Sequence, residues 1–255
     1  MKIQYCSDLH LEKIDNKVWC FEEMRLAPAG DVLVIAGDFY MLKLDFDVVK
    51  RFADMYAKQY EAIYWVPGNH EYYGSCAMNA AKKVRRKIFK NLYLINNAAV
   101  QHDGVSIIFS TLWSHIEVLN AIACRMGVND FRVIEYRPGL ALTPDEFNLL
   151  YMKAVRFVRE AVRNTTCSKA AVVTHHVPTL QNYPEEYKGS RINNAFASDL
   201  DYLIEELGMN AWIYGHSHVN TPEFAIGKTR MVTNQVGYVR SNEHISFNPG
   251  AYIEL

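Results

Sequence analysis

The chain has 255 residues, 50% of them hydrophobic, which is enough to bury one large core within the size of a single α/β domain. Its formal net charge is -1, so the molecule as a whole does not attract a nucleic-acid backbone or an acidic membrane. No apolar run approaches membrane-spanning length. We therefore predict one domain, residues 1–255, with no membrane partner and with nucleic acid an unlikely one.

The first part of the chain repeats one pattern, in which a short apolar run is followed by polar residues. The three examples are residues 2–6 before Asp8-x-His10, residues 31–36 before Gly37-Asp38, and residues 62–66 before Gly68-Asn69-His70-Glu71. Such runs are candidate buried strands. In an open α/β sheet, ligands gather outside the carboxyl ends of the strands, so we expect these polar residues to converge.

Helices and hairpins are predicted from helical spacing, capping residues and turn residues. In chain order they are a helix over residues 45–59, a hairpin over residues 100–109 with an Asp-Gly turn, a capped helix from Thr143 to about residue 162, and a hairpin over residues 223–233. Alternating strands and helices predict layered α/β packing.

Residues 82–90 hold six basic side chains. Apolar residues at positions 77, 81, 84 and 88 have helical spacing, which predicts an amphipathic helix with these charges on its outer face. A solvated face explains them better than a nucleic-acid site does. The basic residues are Lys82, Lys83, Arg85, Arg86, Lys87 and Lys90.

Residues 111–142 have little regular pattern, which is typical of a functional lid or an irregular insertion. An arginine there could hold a phosphate oxygen in a bidentate contact, although surface arginines are more often simply solvated. The candidate pocket residues from this segment and from the later loop are Trp113, Asn129, Asp130, Arg132, Tyr183, Tyr187, Arg191 and Asn194.

Two further histidine clusters lie in the second half. His175-His176 directly follows the apolar residues 170–174, and Gly215-His216-Ser217-His218 comes later. Imidazole, carboxylate and amide ligands suit manganese, iron, zinc, cobalt or nickel. Two dications held close together need a bridging anion, and we assign that role to Asp38. The clusters together predict a two-metal hydrolytic site.

Each cluster alone has an ordinary explanation. A single Asp-x-His or Gly-Asp is far more often a turn after a strand, and two surface histidines need not bind anything. All five clusters in order, each at a strand end, favour a real site.

In these clusters the chain resembles the calcineurin-like metallophosphoesterases, whose signature runs Asp-x-His, Gly-Asp, Gly-Asn-His-Asp/Glu, His and Gly-His-x-His. The resemblance implies a fold of two mixed β-sheets in a sandwich flanked by α-helices. It also implies two divalent metals, with manganese favoured, and His70 unligated beside the phosphorus. One metal would be bound by Asp8, His10, Asp38 and His218, and the other by Asp38, Asn69, His175 and His216.

The histidine pair leaves an alternative open, because His175 and His176 leave the strand in different directions. We favour His175 as the ligand and His176 as a residue behind it or in contact with the substrate, with the exchanged roles as the second choice. The expected substrate contacts are Asn69, His70, His176, Arg132 and Arg191.

The expected reaction is direct attack of a metal-bound hydroxide on a small phosphoester, most simply a phosphodiester or nucleotide. Catalysis is assigned to Asp38 and His70, with His70 acting on the departing oxygen. The alternatives are a nucleic-acid-processing nuclease and a noncatalytic metal-binding scaffold. A nuclease should show a basic groove, and none is evident. A noncatalytic scaffold usually loses metal ligands, and here every ligand type is present.

Departures from the family's sequence pattern narrow the range of expected substrates. The protein phosphatases continue Gly-Asp-x-Val-Asp-Arg-Gly, whereas this chain has Met41 in place of the aspartate that orients the catalytic histidine, and it lacks the arginine. A protein phosphatase is therefore not expected, and His70 needs another orienting partner. The intervening segments resemble a broad bacterial and phage group of predicted phosphohydrolases.

The five cysteines are odd in number and scattered, without Cys-x-x-Cys spacing. The first predicted metal ligand follows the N-terminus too closely for a signal peptide to precede it. Both features predict reduced thiols in a cytoplasmic protein.

Overall fold

Two six-stranded mixed sheets pack face to face in the computed structural model, which describes residues 1–255. The strands are β1 (Lys2–Cys6), β2 (Val32–Ala36), β3 (Ala62–Val66), β4 (Val84–Phe89), β5 (Leu92–Asn96), β6 (Ala98–His102), β7 (Val105–Ser110), β8 (Glu135–Arg137), β9 (Leu140–Ala141), β10 (Lys169–Thr174), β11 (Ala211–Tyr214), β12 (Phe224–Ile226), β13 (Thr229–Thr233) and β14 (Tyr252–Glu254). The first sheet has the order β14-β1-β2-β3-β5-β4, and the second β12-β13-β11-β10-β7-β6. A separate hairpin joins β8 and β9.

Six α-helices accompany the sheets: α1 (Ile14–Val18), α2 (Asp47–Tyr56), α3 (Ala121–Gly127), α4 (Asp130–Val133), α5 (Pro144–Arg163) and α6 (Asp201–Leu207). Helix α2 packs on the outer face of the first sheet, and α5 and α6 pack on the outer face of the second. The predicted α/β sandwich is confirmed. None of these helices has both the length and the apolar character that a bilayer crossing demands.

The central core lies between the sheets, where β1, β2 and β3 face β7, β10 and β11. These strands are rich in Val, Ile and Ala because both of their faces are covered. In the first sheet β1, β2 and β3 run parallel, and in the second β10 runs parallel to β11. Their carboxyl ends therefore open toward one edge of the sandwich.

Most predicted elements are present. Thr143 and Glu146 form the expected capping box at the start of α5, and both predicted hairpins are present, as β6–β7 and β12–β13. Residues 111–142 are more regular than expected, since they contain α3, α4 and the β8–β9 hairpin. Trp113 and Phe131 of this segment pack with Phe147 of α5 in one apolar cluster.

The helix expected over residues 82–90 is wrong, because Val84–Phe89 form β4 at the edge of the first sheet. Val84 and Ile88 pack on the core of that sheet, and a spacing of four residues fits one face of a strand as well as one face of a helix. Basic side chains are typical of edge strands, since they discourage pairing with another chain. The charges are solvated, as predicted.

Candidate metal centre

The polar side chains that follow five strand ends meet at one edge of the sandwich. Backbone hydrogen bonds tie the loops together, from Asp8 to Gly37 at 3.0 Å, from His10 to Asp38 at 2.8 Å and from Gly215 to His175 at 3.0 Å. The loops of the two sheets are joined as well, because the amide of His216 donates to the Asp8 carboxylate. The strand-end arrangement expected from the sequence is therefore present.

Most of the predicted ligands have an uncommon backbone conformation. A positive φ is found at Asp8 (56°), His10 (46°), Asp38 (50°), His216 (76°) and His218 (55°). This conformation costs a non-glycine residue on the order of 1–3 kcal/mol, and it clusters at functional sites. The strain is consistent with loops that are held in place to direct polar side chains inward.

The first group of ligand atoms comes from Asp8, His10, Asp38 and His218, and all of these atoms lie within 4.8 Å of one another. His10 Nε2 is 3.1 Å from His218 Nε2 and 3.7 Å from Asp38 Oδ2. His218 Nε2 is 3.5 Å from Asp8 Oδ1. Two imidazole nitrogens and two carboxylates converge on one point, which is a suitable donor set for a divalent metal of intermediate hardness.

The second group comes from Asp38, His175 and His216. His175 Nε2 is 3.4 Å from Asp38 Oδ1 and 3.0 Å from Asn69 Oδ1. His216 Nε2 is buried and has no hydrogen-bond partner, as expected of a nitrogen that is free to bind a metal. Asp38 directs Oδ2 toward the first group and Oδ1 toward the second, which is the geometry of a bridging carboxylate.

The two adjacent histidines, His175 and His176, have different surroundings. His175 joins the second group, and its Nδ1 donates to the carbonyl oxygen of Ala36 at 2.9 Å. His176 is fully buried, its Nδ1 lies 3.3 Å from the Thr111 carbonyl, and its ring lies between Trp113 and His216. The geometry therefore favours His175 as the ligand, and it places His176 behind the site and away from the cavity.

His70 stands beside both groups and belongs to neither predicted ligand set. Its backbone amide donates to Asp38 Oδ1 at 3.0 Å, and its ring stacks on Tyr73. Nδ1 is 3.2 Å from Glu12 Oε1, and Nε2 is 3.4 Å from the Tyr238 hydroxyl. The same Glu12 Oε1 also lies 3.1 Å from His10 Nδ1.

Three other carboxylates, none of them predicted to have this role, hold ligand side chains or ligand loops in place. Glu243 accepts from His218 Nδ1 at 2.7 Å. Asp130 Oδ1 accepts from Asn69 Nδ2 and from the Tyr73 hydroxyl, both at 2.9 Å. Glu71 accepts backbone N–H groups of Asp38, Phe39 and Gly68 and the indole N–H of Trp65, so it supports the loops and does not face the metals.

The pKa values in the metal-free protein follow from burial and from neighbouring charges. Burial alone would raise the pKa of Asp38, but His175 and His70 hold it well below its usual value. Burial would lower the pKa of His175 and His218, but Asp38 raises the first to about 9 and Asp8 raises the second to about 10. Burial, reinforced by neighbouring imidazoles, lowers the pKa of His216, which favours its neutral, metal-binding form.

Two glycines permit the close approach of these groups. A Cβ on Gly68 would overlap Asp38 Oδ1 and the His175 ring, and a Cβ on Gly37 would overlap the same ring. Gly37 also has a φ of +90°, which a side chain would strain. The Gly-Asp and Gly-Asn-His clusters therefore need glycine because the ligand side chains pack directly against the backbone.

A cavity of about 360 Å³ opens over the two groups. Of the candidate pocket residues, Asn129, Asp130, Tyr183 and Tyr187 line it, together with residues outside the predicted set, including Phe196, Tyr238 and Glu243. Its lining contains no lysine and no arginine.

The other four candidate residues do not line the cavity. The guanidinium group of Arg132 donates to the Met126 carbonyl, and that of Arg191 donates to the Leu119 carbonyl. Both arginines are exposed. Trp113 is buried in the apolar cluster below, while Asn194 accepts from the side chain of Asn120.

Known proteins resemble this chain over nearly its whole length. The family profile described as calcineurin-like phosphoesterase matches residues 1–220. An uncharacterized protein, L509, of Acanthamoeba polyphaga mimivirus is 32% identical, with 99% of this chain and 96% of that protein aligned. Among solved structures, a phosphopantetheinyl hydrolase from Mycobacterium tuberculosis aligns with a TM-score of 0.70 at 15% identity, covering 99% of this chain and 95% of that one. A dimetal phosphatase from Danio rerio aligns with a TM-score of 0.46 at 10% identity, covering 92% and 87%.

Proposed function

Because the chain belongs to the calcineurin-like phosphoesterase family and is a metal-dependent phosphoester hydrolase, we propose that its substrate is a small phosphodiester. The observation that carries this proposal is the cavity above the two ligand groups. Its walls come from residues 127–130, from the loop containing Tyr183 and Tyr187, and from Tyr238. A walled cavity of this size accepts a small ester and excludes a folded protein or a duplex.

The residues present fit the two divalent metals that the family implies. Asp8, His10, Asp38 and His218 would hold one, and Asp38, Asn69, His175 and His216 the other. The converging oxygen and nitrogen atoms and the unpartnered Nε2 of His216 support this assignment. The resemblance to the family favours manganese among the metals that this donor set suits, which are manganese, iron, zinc, cobalt and nickel. When bound, the metals supply the positive charge that activates water and clamps the phosphate oxygens.

His70 would supply the proton that the leaving oxygen needs. Its Nδ1 is engaged by Glu12, so Nε2 is the atom free to face a substrate. In the metal-free protein, burial would lower the pKa of His70, but the charges of Asp38 and Glu12 outweigh burial and raise this pKa. A well-placed general acid contributes about 10²-fold to 10⁴-fold in rate.

Charge favours a diester over more highly charged esters. Apart from the histidines, the titratable side chains of the cavity are acids and tyrosines, among them Asp130 and Glu243, and no cationic side chain lines it. A nucleoside triphosphate or a dinucleoside polyphosphate would bring several charges that only the metals could offset. A phosphodiester brings a single negative charge. Tyr183, Tyr187 and Phe196 offer aromatic surface to an aryl group or a nucleobase.

The test is a panel of substrates hydrolysed by the manganese-reconstituted protein. It contains aryl phosphodiesters, aryl phosphomonoesters, cyclic nucleotides, dinucleoside polyphosphates, a phosphopantetheinyl peptide and a phosphoprotein. We expect the highest kcat/KM on a small diester, with activity lost on chelation and restored by metal. Preference for a monoester or a polyphosphate, by tenfold or more, would contradict the proposal.

The alternatives make different predictions for the same panel. A nuclease would cleave long DNA with a rate that falls steeply with salt, because phosphate contacts release counterions. The basic residues of β4 lie outside the cavity lining, which favours their role as a solvated edge. A noncatalytic scaffold would bind metal and hydrolyse nothing. A cytoplasmic location remains our prediction from the scattered cysteines.

A further inference from the structure

One carboxylate oxygen joins the predicted metal site to the predicted acid. Glu12 Oε1 lies 3.1 Å from Nδ1 of His10 and 3.2 Å from Nδ1 of His70. The Glu12 side chain is 7% exposed, so water competes little for these contacts. An ionised carboxylate can only accept hydrogen bonds, so both Nδ1 atoms must donate.

This arrangement fixes what the opposite nitrogen of each ring does. His10 Nε2 points toward His218 Nε2 and Asp38 Oδ2, where the first metal would be held. His70 Nε2 is 3.4 Å from the Tyr238 hydroxyl, and both residues take part in the cavity lining. One oxygen therefore directs one imidazole toward a metal and the other toward a substrate.

The local chain explains why Glu12 can reach both rings. His10 has a positive φ of 46°, and the amide of Lys13 donates to the His10 carbonyl, which closes a tight turn after β1. Leu11 is fully buried and anchors this turn. Asp8, His10 and Glu12 thus form one short segment that carries two predicted ligands and the carboxylate between the rings.

We propose that Glu12 is a positioning residue that holds the His70 ring and the His10 ring through one shared oxygen. It occupies the role of the aspartate that Met41 replaces, but it comes from a different strand end. The kinetic part of this inference rests on the proposed function. The structural part, which concerns ring orientation in the metal-free protein, does not.

The kinetic test uses aryl phosphodiesters whose leaving groups differ in basicity, at saturating metal. We expect Glu12→Ala to slow hydrolysis of esters with poor leaving groups by about 10-fold to 100-fold more than that of esters with good ones, and we expect the same of His70→Ala. The double variant Glu12→Ala/His70→Ala should be no slower than His70→Ala alone, because both substitutions remove the same function of the His70 ring. Equal slowing on every leaving group, or fully additive losses, would overturn the proposal.

Glu243 supplies the matched control. It accepts from Nδ1 of His218, a predicted ligand of the same metal, and it makes no hydrogen bond to His70. We expect Glu243→Ala to weaken metal binding without any dependence on the leaving group once metal is saturating. If Glu243→Ala and Glu12→Ala gave the same leaving-group dependence, the effect would belong to the metal and the positioning role would be wrong.

Nitrogen NMR of the imidazoles in the metal-free protein tests ring orientation without any turnover. At alkaline pH, where the ring is neutral, we expect His70 to carry its proton on Nδ1 in the native protein and to shift toward the Nε2-protonated form in Glu12→Ala. In Glu12→Gln we expect the proton of His70 to stay on Nδ1, because the amide oxygen can still accept a hydrogen bond from it. The amide nitrogen would take the place of Oε2, which makes no hydrogen bond in the native protein. Unchanged His70 signals in Glu12→Ala would overturn the proposal, even if the proposed substrate also proved wrong.

Discussion

The two ends of the metal centre are supported by different chemistry. At the first end, His10 and His218 donate Nδ1 hydrogen bonds to the carboxylates of Glu12 and Glu243. At the second end, His175 donates to the backbone carbonyl of Ala36, and Asn69 donates to Asp130. An imidazole that donates its other N–H to a carboxylate is a better metal ligand than one that donates it to a backbone carbonyl. The first end should therefore bind its metal more tightly.

Removing the carboxylate that both ends share should have the largest effect. Asp38→Asn leaves neither group with its bridging anion, so we expect loss of at least one metal and a fall in kcat of at least about a thousandfold. Elemental analysis and turnover of an aryl phosphodiester measure the two effects. Asp103→Asn, in the exposed turn between β6 and β7, is the control and should match the native protein. Two tightly bound metals in Asp38→Asn would argue against a bridge.

Removing the charge of one supporting carboxylate at each end tests whether the first end binds its metal more tightly. Glu243→Gln removes a charge behind the first end, and we expect the affinity of that metal to fall about 10-fold to 100-fold. Asp130→Asn removes a carboxylate behind the second end and should cost less, because burial raises the pKa of Asp130 and its contact is with an amide. Stepwise metal titration of both variants gives the two affinities. A larger loss in Asp130→Asn would reverse the comparison.

Across a single pH unit near neutrality, the change in metal affinity should be the smallest of these effects. In the metal-free protein the pKa of His218 is raised to about 10 and that of His175 to about 9, so both are protonated at neutral pH. A metal must displace one proton from each, so affinity should rise about tenfold per pH unit. The rise should level off near pH 9 at the second end and near pH 10 at the first. Affinities that do not change across neutral pH would contradict this account.

Sequence patterns located the parts of the site that lie close to strand ends. Asp8, Asp38 and His216 each follow an apolar run, so parallel strands alone bring them together. Glu12 had a weak signal, since it continues the alternation Asp8-x-His10-x-Glu12 beyond β1. Glu243 had none, because its contact with His218 depends on how the segment after β13 folds back.

Two errors have physical causes that a single sequence does not reveal. The apolar spacing of Val84 and Ile88 fits a helix and an edge strand equally, and pairing with β5 decides between them. Arg132 and Arg191 were attractive phosphate ligands by type, but their guanidinium groups donate to the carbonyls of Met126 and Leu119. Side-chain direction in a loop depends on such contacts, which spacing does not encode.

We infer that two metals are held around Asp38 and act together. Metal-free protein can be titrated with Mn²⁺ while bound metal and phosphodiester hydrolysis are measured in the same samples. We expect two metals to bind per chain and hydrolysis to follow the second equivalent, because the shared carboxylate links the two ligand groups. Full activity with one equivalent, or binding of only one metal or none, would contradict it.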